Sequence, residues 1–485
     1  MKLVSKTTSI CPVCKKSIEA QLVEKDNKIF MEKSCEEHGP FTDLYYGDAS
    51  IYHKFKEYEF IAKGIKEPSI ISSGDCPHEC GICTKHKSSP IIGVIDVTNR
   101  CNLNCPVCFA SMGNGKKIIE PTLEELGEMM DKLRETTPPC PTILFAGGEP
   151  TVREDLPEIC ELAHKKGFSR VMIATNGLRL AEDPGYHAVL GKAKVALLYL
   201  QFDGLTEEPY IKLRGKNLLN VKMKVIENAR KAGTYPRIAL VPTVGKGIND
   251  DQLGDIVKFA LDNIDVVKVV DFQPISFFGK TEGAELLKNR ITSGDVINKL
   301  VEQLDNKIDT DDFFPAVMGS AITEYMKMFQ NSENIPEFGN HPLCNTLAFI
   351  IKNKKGFTPL TKAFSFHEVH KFLNYSRKRK TTKFNLSMFA SLIKIVRPGF
   401  FKLAYPMFNI LKEAVTKDFG HAMGKFEKEN VMVIDIDHFA DEHNFDSSKV
   451  EKCCVYYSTT DGKIIPFCTY NLLYRDKYEL ESENR

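Results

Sequence analysis

The pattern of apolar and polar positions divides residues 90–285 into alternating strands and helices. Apolar runs typical of buried parallel strands occur six times, at residues 91–98, 142–146, 170–175, 195–202, 237–244 and 266–273. Amphipathic patterns between them predict helices, among them 122–133, 219–231 and 251–261. Thr122 and Glu125 have the spacing of a capping box. Six such units predict an α/β fold with a parallel, partly closed barrel, whose functional residues lie at the C-terminal ends of the strands.

The first 60 residues have a different pattern, which predicts a small metal-binding module. A hairpin-like stretch covers residues 18–30, with a turn at positions 26 and 27. Cys11 and Cys14 precede this hairpin, and Cys35 and His38 follow it. Two ligand pairs flanking a hairpin predict one tetrahedral site of the rubredoxin or zinc-ribbon type, which suits either zinc or iron. His38 as the fourth ligand is a hypothesis, because a more distant Cys could complete the site.

Two loops share the spacing Cys-x3-Cys-x2-Cys, one at Cys76, Cys80 and Cys83 and the other at Cys101, Cys105 and Cys108. Three thiolates leave one iron of a 4Fe–4S cluster open to a small molecule. Context favours the second loop as the catalytic one. It directly follows the strand-like run 91–98, and the next strand-like run ends in a Gly-Gly-Glu-Pro turn at residues 147–150. The first loop follows a turn-rich linker and is predicted to hold an auxiliary cluster, with a second zinc site as the alternative.

In the second loop and the Gly-Gly-Glu-Pro turn the chain resembles the radical S-adenosylmethionine (SAM) enzymes. The resemblance implies a six-stranded partial barrel, a 4Fe–4S cluster whose open iron chelates SAM, and reductive cleavage of SAM to a 5′-deoxyadenosyl radical. Val107 departs from the family, in which many members carry an aromatic residue just before the third Cys. The resemblance also implies a set of cofactor contacts, namely Phe109, Gly147, Gly148, Glu149, Thr175, Asn176, Gln201, Asp203 and Thr243. For those at the ends of strands, a simple role in forming the turn is the alternative.

The C-terminal third contains four further cysteines, Cys344, Cys453, Cys454 and Cys468, which we interpret as parts of one additional cluster site. Adjacent Cys453 and Cys454 do not easily bind one cluster side by side, so one of them is free to serve another centre, including that at 76–83. One or two auxiliary clusters are therefore expected. Solitary Cys140 and Cys160 are predicted to be core residues. The predicted divisions are a metal module (1–60), an auxiliary-cluster loop (61–90), the barrel (91–290) and an α+β cluster-binding region (291–485).

Composition narrows the functional classes. A net charge of +1 over 485 residues gives no reason to expect nucleic acid as a partner. The 15 cysteines are mostly grouped like metal ligands rather than like a secreted disulfide framework. The start of the chain lacks an apolar signal core, and no uninterrupted apolar run is long enough to span a membrane. These features predict a cytoplasmic protein.

One basic stretch, 376–383, precedes an apolar and aromatic stretch, 384–411, that is interrupted by Lys, Arg and Pro. This pattern predicts amphipathic helices at a lipid surface, with residues 377–383 facing anionic headgroups. The alternative is a buried helical pair with a solvated basic linker. Peripheral membrane contact is the expectation.

The order of all these motifs resembles the tetraether lipid synthases of methanogenic archaea, over nearly the full chain. The resemblance implies coupling of the terminal methyl carbons of archaeol phytanyl chains, an anaerobic archaeal source, and an electron donor such as ferredoxin or flavodoxin. Members of this group have also been described as methyltransferases acting on 7,8-dihydro-6-hydroxymethylpterin. The cysteine motifs do not separate the two functions. Because the segment 384–411 favours lipid, lipid coupling is the main expectation and the pterin reaction is the alternative.

Overall fold

The computed structural model describes residues 2–60, 76–110, 117–233, 235–279, 287–378, 419–426 and 428–478, with isolated positions 62, 64, 68, 395, 409, 410, 412 and 413. Apart from such isolated positions, the segment 384–411 predicted to face a membrane lies outside the described residues, and so do residues 379–383. Within the described part of the chain, no helix has both the length and the hydropathy to cross a membrane.

The N-terminal module is a four-stranded antiparallel sheet followed by a short helix. Its strands are β1 (Lys2–Ile10), β2 (Ser17–Lys25), β3 (Lys28–Cys35) and β4 (Gly39–Tyr46), in that order, and α1 covers Ala49–Lys56. Asp26 and Asn27 both have positive φ, as the predicted two-residue hairpin turn requires. Leu22 and Met31 belong to the same hydrophobic core as the barrel residues. The module therefore packs onto the barrel instead of standing alone.

All six predicted barrel strands are present, and each is parallel to the next. Continuous apolar runs form them because both faces of a parallel strand are covered. A short strand, β10 (Thr243–Val244), pairs with the last of them. The partial (βα)6 barrel that the sequence predicts is therefore confirmed. Its strands are β5 (Ile92–Thr98), β6 (Thr142–Gly147), β7 (Arg170–Thr175), β8 (Leu197–Gln201), β9 (Arg237–Val241) and β11 (Val267–Pro274).

The C-terminal region extends the barrel sheet at both of its edges. Strand β15 (Val431–Asp437) adds in parallel beside β11, and β16 (Val455–Ser458) adds in parallel beside β5. Beyond them lie antiparallel strands, so the sheet of the described chain has 13 strands. The lumen is thus lined by residues from distant parts of the sequence. The outer strands are β12 (Phe314–Pro315), β13 (Asn345–Asn353), β14 (Gly356–Pro359) and β17 (Ile464–Pro466).

Helices cover the outside of the barrel strands. Helix α2 begins after Thr122, which forms the predicted capping box with Glu125. Cys140 and Cys160 are fully buried in the core beneath this layer, as expected. The helices after α1 are α2 (Leu123–Arg134), α3 (Leu156–Lys165), α4 (Leu178–Glu182), α5 (Tyr186–Lys192), α6 (Glu207–Arg214), α7 (Leu219–Lys231), α8 (Leu253–Asp262), α9 (Ser293–Gln303), α10 (Ser320–Gln330), α11 (Phe366–Lys378), α12 (Phe419–Phe426), α13 (Ser447–Val450) and α14 (Phe467–Thr469).

The two faces of the barrel strands differ in burial. On β8, Leu198 and Leu200 point to the helices and are completely buried, whereas Tyr199 and Gln201 point inwards and remain partly exposed. Strand β15 repeats this alternation, with its two inward carboxylates partly exposed. Since side chains alternate between the faces of a strand, the partly exposed row shows that the lumen is open to solvent at this level.

Candidate active site

The cluster loop, residues 101–108, leaves the C-terminal end of β5 and carries Cys101, Cys105 and Cys108, all partly exposed. Burial raises the pKa of the Cys101 thiol to about 12, and the nearby Glu149, Cys105 and Cys108 act in the same direction. The three soft donors therefore lie close enough to influence one another electrostatically. A donor set of three thiols on one partly open loop fits a cluster that keeps one iron free for SAM.

The Gly-Gly-Glu turn at the end of β6 is joined directly to the start of the cluster loop. The amide of Gly148 donates to the carbonyl of Thr98 (2.8 Å), and the amide of Glu149 donates to that of Arg100 (2.8 Å). A Cβ on Gly148 would lie 2.1 Å from the Arg100 carbonyl oxygen. Gly147 has φ +123° and a similarly close contact. Only glycine allows this approach, so the turn fixes the position of the loop.

The Glu149 side chain is buried and holds the end of β7. Its carboxylate accepts hydrogen bonds from the Thr175 hydroxyl (2.7 Å), the backbone N–H of Asn176 (2.6 Å) and the Thr151 hydroxyl (2.6 Å). Burial raises the pKa of Glu149, while these donors stabilise its charged form. The carboxylate thus positions two of the residues that the resemblance implies as cofactor contacts.

Lys222 links these residues to β8 and was not found from the sequence. Its ammonium is fully buried and donates to the Asn176 carbonyl and to Oε1 of Gln201 (3.0 Å). Asn176 in turn donates to Asn102 of the cluster loop (2.7 Å). Burial lowers the pKa of Lys222 to about 7, and neighbouring Asp203 opposes that change. No local signal distinguishes this lysine from the solvated lysines that amphipathic helices usually carry.

Arg214 holds the cluster loop from the other side and was also missed. It donates to both carboxylate oxygens of Asp203 (2.7 and 2.8 Å), to the Thr243 hydroxyl (2.8 Å) and to the Val107 carbonyl (3.1 Å). The Val107 side chain packs with Leu213 in a small apolar cluster. Through Arg214 and Lys222, the predicted polar contacts on β7 to β10 form one connected network around the barrel mouth.

Phe109, directly after the last loop cysteine, lies in a group of aromatic rings. Its ring centroid is 4.8 Å from that of Phe278 and 5.7 Å from that of Phe439, which stacks on Phe467 at 4.8 Å. Phe278, Phe439 and Phe467 follow the C-terminal ends of β11, β15 and β17, respectively. Phe109, Phe439 and Phe467 remain partly exposed, so they present apolar faces beside the cluster loop.

The other cysteine groups meet near Tyr456. The pKa of Cys80 is raised by its hydrogen bond with Cys76, by burial and by the charge of nearby Cys453. Burial and four neighbouring thiols, Cys453, Cys454, Cys80 and Cys83, raise the pKa of Tyr456. Cys454 and Cys468 both lie within electrostatic range of Cys344. The structure therefore brings the loop 76–83 and the C-terminal cysteines into one neighbourhood.

The ribbon site consists of Cys11, Cys14, Cys35 and His38, whose ligand atoms all lie within 4.8 Å of one another. Nδ1 of His38 is 3.5 Å from Sγ of Cys35, and its hydrogen bond lowers the pKa of that thiol. Four converging donors with a lowered thiol pKa fit a single metal ion.

Comparison with known proteins agrees with this geometry. Residues 95–260 match the family model of the radical SAM superfamily, and residues 3–47 match that of the HMPTM N-terminal zinc ribbon domain. The 7,8-dihydro-6-hydroxymethylpterin dimethyltransferase of Methanocaldococcus jannaschii is 41% identical, covering 98% of this chain and 94% of its own length.

More distant similarities are confined to part of the chain. The GTP 3′,8-cyclase of Peptoclostridium acidaminophilum is 30% identical over 45% of this chain and 65% of its own length. The crystal structure of Streptococcus suis SuiB bound to precursor peptide SuiA covers 63% of this chain and 70% of that chain, with a TM-score of 0.38 and 14% identity.

The near full-length relative corrects one expectation. Lipid-chain coupling is the main function expected from the sequence, but this relative bears the name of the pterin enzyme, so that expectation is wrong. That expectation depended on interpreting the segment 384–411 as lipid-facing, since the cysteine motifs do not separate the two activities. The chain is a radical SAM enzyme and belongs to the family of the 7,8-dihydro-6-hydroxymethylpterin dimethyltransferase of Methanocaldococcus jannaschii.

Proposed function

We propose that the enzyme methylates 7,8-dihydro-6-hydroxymethylpterin, replacing carbon-bound hydrogens of the substrate with methyl groups. The observation that carries this proposal is the similarity to the named dimethyltransferase along nearly the whole of both chains. It includes the ribbon, the barrel and the C-terminal cysteines, and therefore more than the SAM-binding half that many radical SAM enzymes share.

Cys101, Cys105 and Cys108 would hold the cluster that, when SAM is bound, supplies the electron for its reductive cleavage. The protein itself holds the reacting groups in position. The Gly147–Gly148 turn fixes the cluster loop, while Lys222 and Arg214 fix the polar groups that surround the SAM site. A rigid network of this kind keeps a reactive group in one geometry at little entropic cost.

The remaining cysteines would hold auxiliary centres. Cys76, Cys80 and Cys83 would hold one cluster, with Cys453, whose charge acts on Cys80, as its fourth ligand. Cys344, Cys454 and Cys468 form the second group. For the ribbon site we propose zinc, because three thiolates and one imidazole are a frequent set for structural zinc.

The test is an anaerobic reaction with SAM, a low-potential reductant and the dihydropterin. The expected products are 5′-deoxyadenosine and pterin carrying first one and then two added methyl groups, detected by mass spectrometry. SAM labelled in its S-methyl group shows whether SAM is also the methyl source. Formation of 5′-deoxyadenosine with unmodified pterin at all times would contradict the proposal.

A further inference from the structure

Three carboxylates, Asp271, Asp435 and Asp437, form a compact group on the lumen side of the sheet. Their ligand atoms lie within 4.8 Å of one another. Asp271 on β11 is paired in register with Asp435 on β15, and Asp437 follows two residues later on the same face. Leu200 on β8, Leu240 on β9 and Val270 on β11 are paired in register and lie at one level of the sheet. Gln201 and Asp271 each follow this level by one residue. The carboxylate group therefore lies in the same layer of the barrel as the polar network around the SAM site.

This carboxylate group has no cationic partner among the residues that the structure describes. Its partners are amide N–H groups instead. Asn345 on β13 donates to Asp435 (2.5 Å) and Asp437 (2.6 Å), and Gln273 donates to Asp271 (2.9 Å). Asp271 is 1% exposed, and within the described chain its Oδ1 has no hydrogen-bond partner. Burial and the charge of nearby Asp437 raise the pKa of Asp271, because its carboxylate has too few donors. This oxygen is suited to a ligand that brings an N–H group, which would stabilise the charged carboxylate.

The arrangement of the amides favours a donor ligand over a cation. A hard cation such as Mg²⁺ or Ca²⁺ binds Asn and Gln through their oxygens. Here both amides direct nitrogen, not oxygen, at the carboxylates. The carboxylate group therefore already accepts planar N–H donors and lacks the amide oxygens that would complete a cation shell.

Aromatic side chains lie close by along the same strand direction. Phe439 follows Asp437 by two residues, about 7 Å along an extended backbone. It is partly exposed and contacts Phe109 beside the cluster loop. A ligand at the mouth would therefore meet carboxylate acceptors at its edge and an aromatic ring at its face.

We propose that Asp271 and Asp435 bind the N–H edge of the substrate's 2-amino-4-oxopyrimidine ring, with Phe439 against the ring face. This inference rests on the proposed function, because it takes the pterin as substrate. The ring N–H and the exocyclic amino group offer two adjacent donors, which is the pattern that carboxylates accept in pairs. Held by this edge, the opposite, hydroxymethyl-bearing side of the pterin points away from β11 and β15, towards the SAM site.

The experiment compares anaerobic binding of two ligands by equilibrium dialysis. One is 7,8-dihydro-6-hydroxymethylpterin, and the other is its lumazine analogue, in which a carbonyl replaces the 2-amino group. We expect the wild type to prefer the pterin by about 10–100-fold, since an unpaired buried acceptor costs about 1–3 kcal/mol. Asp271→Asn should reduce this preference to within a few-fold. Asp265→Asn, a surface residue paired with Arg230, is the matched control and should leave the preference unchanged.

Each other outcome has one meaning. If the wild type does not bind the pterin, the proposed function fails. If it binds both ligands equally, or if Asp271→Asn keeps the full preference, the carboxylate assignment is wrong while the proposed function stands. Retention of one divalent cation in addition to the ribbon zinc after dialysis against chelator, lost in Asp271→Asn, would also overturn the assignment. The wild-type comparison needs no variant, and zinc content with thermal unfolding verifies that Asp271→Asn is folded.

Discussion

The ribbon site and the cluster loop use the same kind of ligand in different ways. In the ribbon site four donors converge within 4.8 Å at the ends of one hairpin. Among the described residues, no equally tight group contains Cys101, Cys105 or Cys108. The loop is instead tied to β6, β7 and helix α6 by hydrogen bonds. The ribbon site is complete by itself and suits structural metal, whereas the loop depends on the whole barrel mouth.

The largest effect expected from this comparison follows loss of the loop thiols. Replacing Cys101, Cys105 and Cys108 together by Ala should reduce 5′-deoxyadenosine formation to background, because the cluster would lose its three thiolate ligands. Zinc content should be unchanged, since the ribbon donors are intact. The readouts are 5′-deoxyadenosine by chromatography and metals by mass spectrometry. Continued SAM cleavage would transfer the catalytic assignment to the loop 76–83.

The next largest effect, a reduced rate of SAM cleavage, is expected from Gly148→Ala. The new Cβ would meet the Arg100 carbonyl at 2.1 Å, so the loop and the turn must separate. A displacement of about 1 Å at a reacting centre costs about 100-fold in rate. The matched control is Gly127→Ala in helix α2, where the nearest atom is 3.6 Å away. Equal SAM-cleavage rates in the two variants would show that the close approach does not position the loop.

The ribbon side of the comparison is tested by Cys35→Ser. This change should remove one zinc equivalent and lower the thermal unfolding temperature, because metal binding contributes to folding of such modules. The ribbon shares its core with the barrel, so the whole unfolding transition should move. The rate of SAM cleavage at low temperature should stay within a few-fold of wild type. Unchanged zinc content would disprove the ligand assignment.

The smallest effect is expected from a change away from both sites. His187 is completely buried in α5, and burial lowers its pKa to about 4 from the usual 6.5. The unfolded chain therefore takes up the proton first, and stability is complete above pH 6.5 and falls as the pH drops towards 4. The maximal slope is about 1.4 kcal/mol per pH unit. The free energy of unfolding of His187→Leu, measured with denaturant, should lack this part of the acid dependence. Zinc content and SAM cleavage should be unaffected. A pH profile identical to that of the wild type would show that His187 does not cause the loss of stability in acid.

The sequence predicted what local patterns encode. Parallel strands covered on both faces give apolar runs, so β5 to β11 could be located, and the hairpin turn at Asp26 and Asn27 gave the ribbon. The pairing of β15 and β16 with the barrel edges could not be predicted, because it joins segments far apart in the chain. For the same reason the carboxylate group on β11 and β15 had no signal in either segment alone.

Within the candidate site, the sequence offered ligand-type residues but not the residues that position them. Cysteine spacing and the Gly-Gly-Glu turn are local features. Lys222 and Arg214 lie on helices and turn inwards only because Asp203, Gln201 and Asn176 meet them there. The substrate was mispredicted because the cysteine motifs indicate only the cofactor chemistry that both activities share, and the segment 384–411 was then interpreted as lipid-facing. The substrate is instead selected by the residues that line the lumen.

The most direct test of the central claim follows hydrogen from the substrate. The reconstituted enzyme is given SAM, reductant and 7,8-dihydro-6-hydroxymethylpterin deuterated at its non-exchanging carbon positions. The account predicts deuterium in the 5′-deoxyadenosine and methyl groups in the recovered pterin. Undeuterated 5′-deoxyadenosine together with unchanged pterin would contradict it.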